Sequence, residues 1–368
     1  MINLKNKNLY YIGGVVRDEL LNKDCFDIDI TYQGDAIDFC KKLEEKKLLK
    51  ILKINPPFGT TRVLIEDKEV DIAPTRNEIY NKKGHLPTVT EIGCSLKKDV
   101  LRRDFTINAL AKSTLTGEIV DFVNGLEDLK NKKLRILHEN SFIDDPTRIV
   151  RGLKFAVRFG FELDDKTKIL QDNYLNNINY DMSYKRLKKE LMETFNLNSQ
   201  KAYEEFFNQN IYKLIVKNVI KKIDYNIEAL IKKYPVKNIW LVYLGWMNLE
   251  SLPLTKIEKK IIDDYIILLN SDIKDDKFSI YKNFIKKEKE SILLYTIKTC
   301  SDKGLRFFEI ENIKTKITGK DIKDMGILPS KNYSEILDYM QKVKLENPTL
   351  TKKEELDILR KYLNIPSF

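Results

Sequence analysis

LYYIGGVVRDELLNKDCFDIDIT, residues 9–31, is the stretch whose reading decides the fold. Leu9–Ile12 is a short apolar run stopped by Gly13-Gly14, the mark of a strand entering a tight turn. Val16–Leu21 then reads as a helix, and Phe26–Thr31 alternates apolar with acidic residues as a strand does. Side chains two apart on a strand share a face, so Asp27 and Asp29 are expected to point together. Two adjacent carboxylates repel and desolvate poorly unless a cation lies between them. Hard oxygen ligands suit magnesium. The Gly-Gly turn adds a second element, because glycine lets backbone approach a ligand closely and a turn leading into a helix can offer amides to phosphates. Taken alone, Asp-x-Asp also describes a solvent-facing acidic strand edge, so the rest of the chain has to decide.

Outward from this stretch, the first ~135 residues hold most of the glycine and the strand-like segments. Ala36–Lys47 reads as an amphipathic helix, Arg62–Ile65 and Glu69–Ala73 as a hairpin around Glu66-Asp67-Lys68, and Glu118–Val123 as a further strand. Asp71, on the second arm of the hairpin, is a candidate third carboxylate, though an ordinary exposed strand aspartate fits its spacing nearly as well. Residues 80–89, with Gly84 and Pro87, read as a mobile loop. From Asp145 the texture changes. Pro146 suits a first helical turn with Asp145 as its cap. Helix-period segments follow at 146–159, 183–195, 200–215, 225–247, 255–270, 276–299, 333–344 and 352–363. The fold class is α+β: a small mixed-sheet head followed by an all-helical remainder.

With 368 residues, 42% apolar and 33% charged, the chain exceeds what one hydrophobic core serves, and two or more lobes are expected. No apolar run is long enough to span a bilayer, and the amino terminus lacks a signal-peptide pattern, so a cytoplasmic protein with no membrane partner is expected. Cys25, Cys40, Cys94 and Cys300 form no C-x-x-C pair and are expected to be buried, reduced thiols. Only His85 and His138 are present, with no His-Asp pair, which excludes a His-based metallohydrolase. The net charge of +10 attracts polyanions, of which nucleic acid is the commonest in a cell. Paired carboxylates, a phosphate cradle and a basic surface are what metal-assisted phosphoryl transfer on nucleic acid requires.

As a set, GGVVRD with DIDI, VDIAPTRNEIY, RRDFTINALA, DFVNGLEDLKNKKLRIL and DDPTRIVRGLKFAVRFGF resemble the class II tRNA nucleotidyltransferase and bacterial poly(A) polymerase family, of the DNA polymerase β-like superfamily. They occur in the family's order over residues 10–165, and ITGKDIKDMGILP at 317–329 resembles a carboxyl-terminal segment of many members. The resemblance implies a nucleotidyltransferase head at 1–137, a helical neck at 138–197 and an RNA-binding body and tail at 198–368. It implies that Asp27 and Asp29 bind catalytic Mg2+, with Asp71 a less certain helper, and that Gly13, Gly14 and Arg17 hold the triphosphate. Arg102, Arg103, Asp104 and Asn108 would recognise sugar and phosphates. Asp145 and Arg148 would read the incoming base, with Asp144 and Arg151 in the same nucleotide-binding set, and Thr75–Glu78 would order the site.

The implied activity is template-independent addition of CMP and/or AMP from CTP and ATP to the 3′ end of tRNA, gripped by its acceptor arm. One helical turn separates Asp145 from Arg148, so both can reach one base edge, and cytosine and adenine share the amino-donor and ring-acceptor pattern that such a pair satisfies. Competing readings are a helix cap for Asp145, a surface charge for Arg148, and a salt-bridged helix start for Arg102-Arg103-Asp104. At the level of function the alternatives are a CC-only or A-only tRNA enzyme, a poly(A) polymerase, and a non-catalytic RNA-binding protein on the same scaffold.

Overall fold

A computed structural model describes residues 4–25, 27–328 and 332–365. The chain divides into two compact units, residues 1–221 with 249–253, and residues 222–248 with 254–368.

The first unit begins with β1 (Leu9–Ile12), α1 (Gly14–Leu20), β2 (Ile28–Tyr32), α2 (Ala36–Glu45), β3 (Lys50–Asn55), β4 (Thr60–Ile65) and β5 (Lys68–Pro74). It continues with β6 (Arg76–Ile79), β7 (Thr88–Ile92), α3 (Leu96–Leu101), β8 (Ala111–Ser113), β9 (Ile119–Val120), α4 (Gly125–Lys130) and β10 (Lys133–Leu134). Seven strands form one sheet in the order β3-β4-β5-β2-β1-β8-β9, and β2–β5 is its parallel pair. Both arms of the β4–β5 hairpin alternate buried with accessible residues, Val63, Ile65, Val70 and Ile72 turning inward. The turn is tighter than the sequence suggests. Ile65 pairs with Lys68, so Glu66 and Asp67 alone make the connection, both at positive φ, as a two-residue hairpin whose twist matches the sheet requires. One end of the sheet packs on a core of Ile12, Leu96, Val100, Ala109 and Ala111. The Phe105–Ala111 segment contributes Ala109 and Ala111 to it, and its Phe105, Ile107 and Leu110 are fully buried as well. Burying a side chain such as Phe105 contributes about 2–3 kcal/mol, the main return for ordering this segment.

Helices complete the unit: α5 (Ser141–Asp144), α6 (Thr147–Phe159), then the short strand β11 (Glu162–Leu163), α7 (Asp165–Asn176), α8 (Tyr184–Phe195) and α9 (Gln200–Asn208). α6 ends at Gly160, whose φ of 71° few other residues tolerate. The inward face of α6 carries Ile149, Val150, Leu153 and Phe155, and Gly152 lies so near Phe105 that a Cβ there would approach the ring at 3.1 Å.

The second unit is helical from α10 (Ile227–Lys233) and α11 (Ile239–Leu244) through α12 (Lys256–Leu269), α13 (Lys277–Phe284), α14 (Lys289–Thr299), α15 (Lys303–Ile310), α16 (Gly319–Asp324), α17 (Asn332–Glu346) and α18 (Lys352–Tyr362). Capping boxes start α12, α16 and α18, pairing Thr255 with Glu258, Thr318 with Asp321, and Thr351 with Glu354. Ile317, Ile322, Ile336, Met340 and Leu359 form one of its cores.

Several expectations change. β2 starts at Ile28, so Asp27 precedes the strand instead of lying on it, and Phe26 falls outside the described residues, as does Pro329 of the 317–329 segment. The expected helices 225–247 and 276–299 are each broken in two, the first around Pro235 and the second at the 285–288 turn. Residues 80–87 connect β6 to β7, and Thr88 and Val89 belong to the latter. Cys40 and Cys94 are buried, but Cys25 is half-buried and Cys300 exposed. Among the described residues, no helix is long and apolar enough to cross a membrane.

Candidate active site

β1 delivers the chain to Gly13, whose amide donates to the Leu110 carbonyl at 3.2 Å and whose φ is 74°. A Cβ at Gly13 would lie 3.3 Å from Arg103 Nη1, so glycine is needed both for the turn and for the guanidinium beneath it. α1 then carries Arg17 inward. Its Nε and Nη2 donate to Asp18 Oδ1 at 2.8 and 2.7 Å, Nη1 donates to Asn108 Oδ1, and the guanidinium lies over the rings of Phe159 and Phe155 at 4.5 and 5.2 Å. Burial pushes the Arg17 pKa down against the pull of Asp18.

Asp29 faces Asp71 in register across the parallel β2–β5 pair. Asp29 keeps solvent contact, yet enough protein surrounds it for desolvation to push its carboxyl up to about 6. Arg103 opposes that rise, while Asp71 and Asp27 add to it. A carboxyl raised by burial and by two acidic neighbours is a place where a cation gains energy. The two expected ligands therefore differ in setting: Asp29 is fixed on β2, Asp27 is exposed just before it. Asp71 is engaged by Arg62, whose Nε and Nη2 donate to its two oxygens at 2.8 and 2.7 Å. Among the described residues no three His, Cys, Asp or Glu side chains converge as a ready metal cage. A hard cation at Asp27 and Asp29 would thus take its remaining ligands from water and substrate oxygens, as magnesium usually does.

α3 ends in Arg102, and the pair Arg102-Arg103 leaves the helix at its carboxyl end instead of opening one. Asp99, fully buried on that helix, holds both. Its Oδ1 accepts from Arg102 Nε and Nη2 at 3.0 and 2.7 Å and from the Arg76 amide at 3.1 Å, and its Oδ2 accepts from Arg103 Nη2 at 3.0 Å. Burial alone would raise the Asp99 carboxyl, but Arg103 and Arg102 hold it below the usual range. Arg103 Nε is buried with no hydrogen-bond partner, a donor left free beside Asp29. Glu78 pairs with Arg76 at 2.6 Å and with Arg102 at 3.2 Å.

Asp104 is held by Arg151 at 2.6 Å and accepts from the Asn108 amide at 3.0 Å. Burial works against its ionisation, but Arg151, Asn108 and Arg148 overcome it and keep the carboxylate well below the usual range. Arg151 also reaches Glu190 on α8 at 3.2 Å, and Lys154 reaches Glu190 at 2.8 Å.

The base-reading candidates are buried, which removes the surface-charge reading of Arg148. Arg148 donates to Ser141 Oγ at 2.6 Å, to the Arg102 carbonyl at 3.0 Å and to Tyr80 OH at 3.3 Å, and its Nε is 4.0 Å from Asp145 Oδ2. Asp145 Oδ1 accepts from the Thr147 amide and hydroxyl at 3.2 and 2.6 Å, so Asp145 does brace the start of α6. Its Oδ2 is paired with Arg186 of α8. Asp144 bonds Lys83 of the 80–87 connection, and its Oδ2 is 4.0 Å from His138. Sequence reading missed Asp99, Arg186 and Glu190. The last two lie on a segment read only as helix-period, and the sign pattern Arg151/Lys154 against Glu190 shows only once α6 and α8 are packed together.

Three concavities meet here. One of about 540 Å³ gathers Gly13, Gly14, Arg17, Asp29, Arg103 and Lys154. A second of about 300 Å³ gathers Tyr80, Arg102, Asp145, Arg148 and Arg186. A third of about 500 Å³ lies over β3, β4 and β5 and also touches Asp29 and Arg103. Two roomier cavities, of about 750 Å³ beside α7 and 770 Å³ beside α13, contain no arginine and no paired strand carboxylates. The smaller, charged group is the candidate site.

Residues 9–135 match the family model described as the poly A polymerase head domain. The A-adding tRNA nucleotidyltransferase of Aquifex aeolicus is 42% identical over 170 residues, covering 45% of this chain and 20% of that protein. The A-adding tRNA nucleotidyltransferase of Halalkalibacterium halodurans is 27% identical, covering 97% of this chain and 89% of the relative. The chain thus spans about a fifth of the first relative's length and most of the second's. Among solved structures, a CCA-adding enzyme in apo form II superposes with a TM-score of 0.80 at 26% identity, covering 96% of this chain and 91% of that one. Residues 9–135 are thus similar to the poly A polymerase head domain, and nearly the whole length of the chain is similar to proteins named A-adding and CCA-adding tRNA nucleotidyltransferases.

Proposed function

We propose that this chain adds CMP and/or AMP to the 3′ end of tRNA, taking CTP and ATP as donors. The observation that carries the reading is the position of Asp29, its carboxyl pushed up to about 6, on the border of two arginine-lined concavities. The 3′-hydroxyl oxygen forms a bond to the α-phosphorus, the α–β anhydride bond breaks, pyrophosphate leaves, and the hydroxyl proton passes to solvent. Asp27 and Asp29 would hold Mg2+, which lowers the hydroxyl pKa and offsets charge developing at phosphorus. Asp71 adds to the same negative field while engaged by Arg62. Gly13 and Gly14 leave room for the triphosphate, with Arg103 Nη1 close beneath Gly13. Arg17, Asn108, Asp104 and Arg151 fix that wall through one another.

Asp145 and Arg148 would read the base: the carboxylate accepts from the exocyclic amino group, and Arg148 donates to the ring nitrogen. Asp144 acts with them by tying Lys83 of the 80–87 connection. Uracil and guanine present the opposite pattern at those atoms, and each contact they fail to make costs about 1–3 kcal/mol of selectivity. The net charge of +10 supplies attraction to the acceptor arm, where phosphates and shape dominate. The domain plan that goes with this function is a catalytic head at 1–137, a base-recognising neck at 138–197 and an RNA-binding body and tail at 198–368. A second reading, addition of the terminal A only, is favoured by the names of the two relatives. The test offers tRNA lacking CCA, CA or A, with CTP and ATP separately, and sequences the ends. Extension only of the A-lacking tRNA selects the second reading, and no extension of any substrate rejects both.

A further inference from the structure

Four charged side chains stand in one line across the sheet. Lys53 on β3 pairs in register with Arg62 on β4, Arg62 with Asp71 on β5, and Asp71 with Asp29 on β2. Register partners share a face, so two cations lead across the surface to two carboxylates. Two residues along, on the same face, Asn55 pairs with Thr60 and makes a second, neutral row. Together these rows floor the concavity of about 500 Å³ that touches Asp29 from the side away from the glycine turn. Arg62 is engaged by Asp71, but Lys53 is exposed and has no ion-pair partner among the described residues. The side chains of Asn55 and Thr60 likewise have no hydrogen-bond partner among the described residues.

Displacement at phosphorus sets the attacking and leaving oxygens roughly in line, on opposite sides of the α-phosphate. Asp29 borders two concavities, one containing Gly13, Gly14 and Arg17, the other containing Lys53 and Arg62. With the triphosphate in the first, the hydroxyl arrives from the second. We propose that the concavity over β3 and β4 seats the end of the RNA strand, with Lys53 contacting the phosphodiester that joins its last two nucleotides. Asn55 and Thr60 hydrogen-bond that terminal nucleotide, and Asp71 fixes Arg62 as the wall between the phosphodiester and the reacting centre. The dimensions agree: Lys53 stands three strands from Asp29, about 14 Å at the usual strand spacing. The lysine stem shortens that gap to a span that one nucleotide and its phosphate bridge. This inference rests on the nucleotide-addition reading above.

The test couples a protein change to a substrate change. Lys53→Ala removes an exposed side chain and leaves the fold intact. It should raise KM for A-lacking tRNA about fivefold, the size of one exposed charge–phosphate contact, and leave KM for ATP unchanged. An RNA acceptor whose last internucleotide linkage is an uncharged methylphosphonate should lose the same factor with the unaltered chain and nothing further with Lys53→Ala. Lys53→Arg should restore most of the loss on the ordinary acceptor. Independent, multiplying losses from the two changes would overturn the contact, as would an unchanged RNA KM in Lys53→Ala. Failure of the unaltered chain to extend any RNA would instead reject the nucleotide-addition reading, and this seat with it.

Discussion

Asp99 is the residue whose replacement should do most harm for its size. Asp99→Asn keeps the volume and removes the charge. The amide retains one acceptor, yet its NH2 must face guanidinium donors that now point at a donor. Three charge-assisted bonds at 2.7–3.0 Å are affected, and the Arg76 amide competes for the one oxygen left. Removing one partner of a buried pair costs about 3–5 kcal/mol when the other charge is stranded. Here the arginine side chains are 16% and 21% exposed, and Arg102 keeps Glu78. Solvent therefore screens part of the loss, and about 2–3 kcal/mol is expected. For a unit of this size that corresponds to a Tm lower by roughly 5–10 °C. Scanning calorimetry of the full chain with and without ATP identifies the transition belonging to the nucleotide-binding unit. The same variant should raise KM for ATP by about tenfold, because Arg103 has no other ion-pair partner among the described residues to aim it beside Gly13. A Tm within about 1 °C of the unaltered chain together with an unchanged ATP titration would refute the argument.

Asp27→Ala and Asp29→Ala should each abolish nucleotide addition while leaving the thermal transition and RNA binding near their original values; near-normal turnover in magnesium by either variant removes it from the site. Arg148→Ala should raise incorporation of UTP or GTP relative to CTP or ATP by roughly tenfold to a hundredfold, measured by mixed-nucleotide competition, the yield of about 1–3 kcal/mol per unpaired group. Unchanged base ratios would leave Arg148 as a structural residue of α6. Burial, then Arg148 and Lys83, hold the His138 pKa below its usual 6.5 against the pull of Asp144. The unfolded chain takes up that proton more readily than the folded one, so stability is lost as the pH falls below about 6.5. His138→Gln should flatten this slope between about pH 7 and pH 5 in denaturant titrations, and an identical slope would assign the loss to other groups.

Much of the head was legible because its chemistry is local. Gly13-Gly14 and the Asp-Ile-Asp triplet each reveal themselves within a few residues, and β1 begins and ends where the apolar run does. What escaped depends on packing between distant segments. Asp99 looks like one more acidic residue on a short helix, since nothing nearby shows that it will be fully buried under two arginines. Arg186 meets Asp145 only after α8 folds back beside α6. β3, rich in lysine and isoleucine, gave no strand signal strong enough to separate it from the preceding helix, because as an edge strand it buries little. In the helical unit α15 and α16 were not read as helices, and 225–247 and 276–299 were read as pieces too long, since a continuous apolar period does not show where a single proline or a four-residue turn divides a helix.

The wedging of Arg17 between Asp18, Asn108 and the rings of Phe155 and Phe159 makes a ruler of α6. At one end of that helix stands Arg148, at the other the two phenylalanines that clamp the first turn after the glycines. Eleven residues separate Arg148 from Phe159, about 16 Å of rigid rod at the usual helical rise. Under the proposed function, a nucleotide lying between the glycine turn and Arg148 would be gauged against a fixed length. Cytosine and adenine differ in how far their edges extend from the sugar, and that difference would then be absorbed by rotation of the Arg148 and Asp145 side chains and not by sliding of the backbone that carries them.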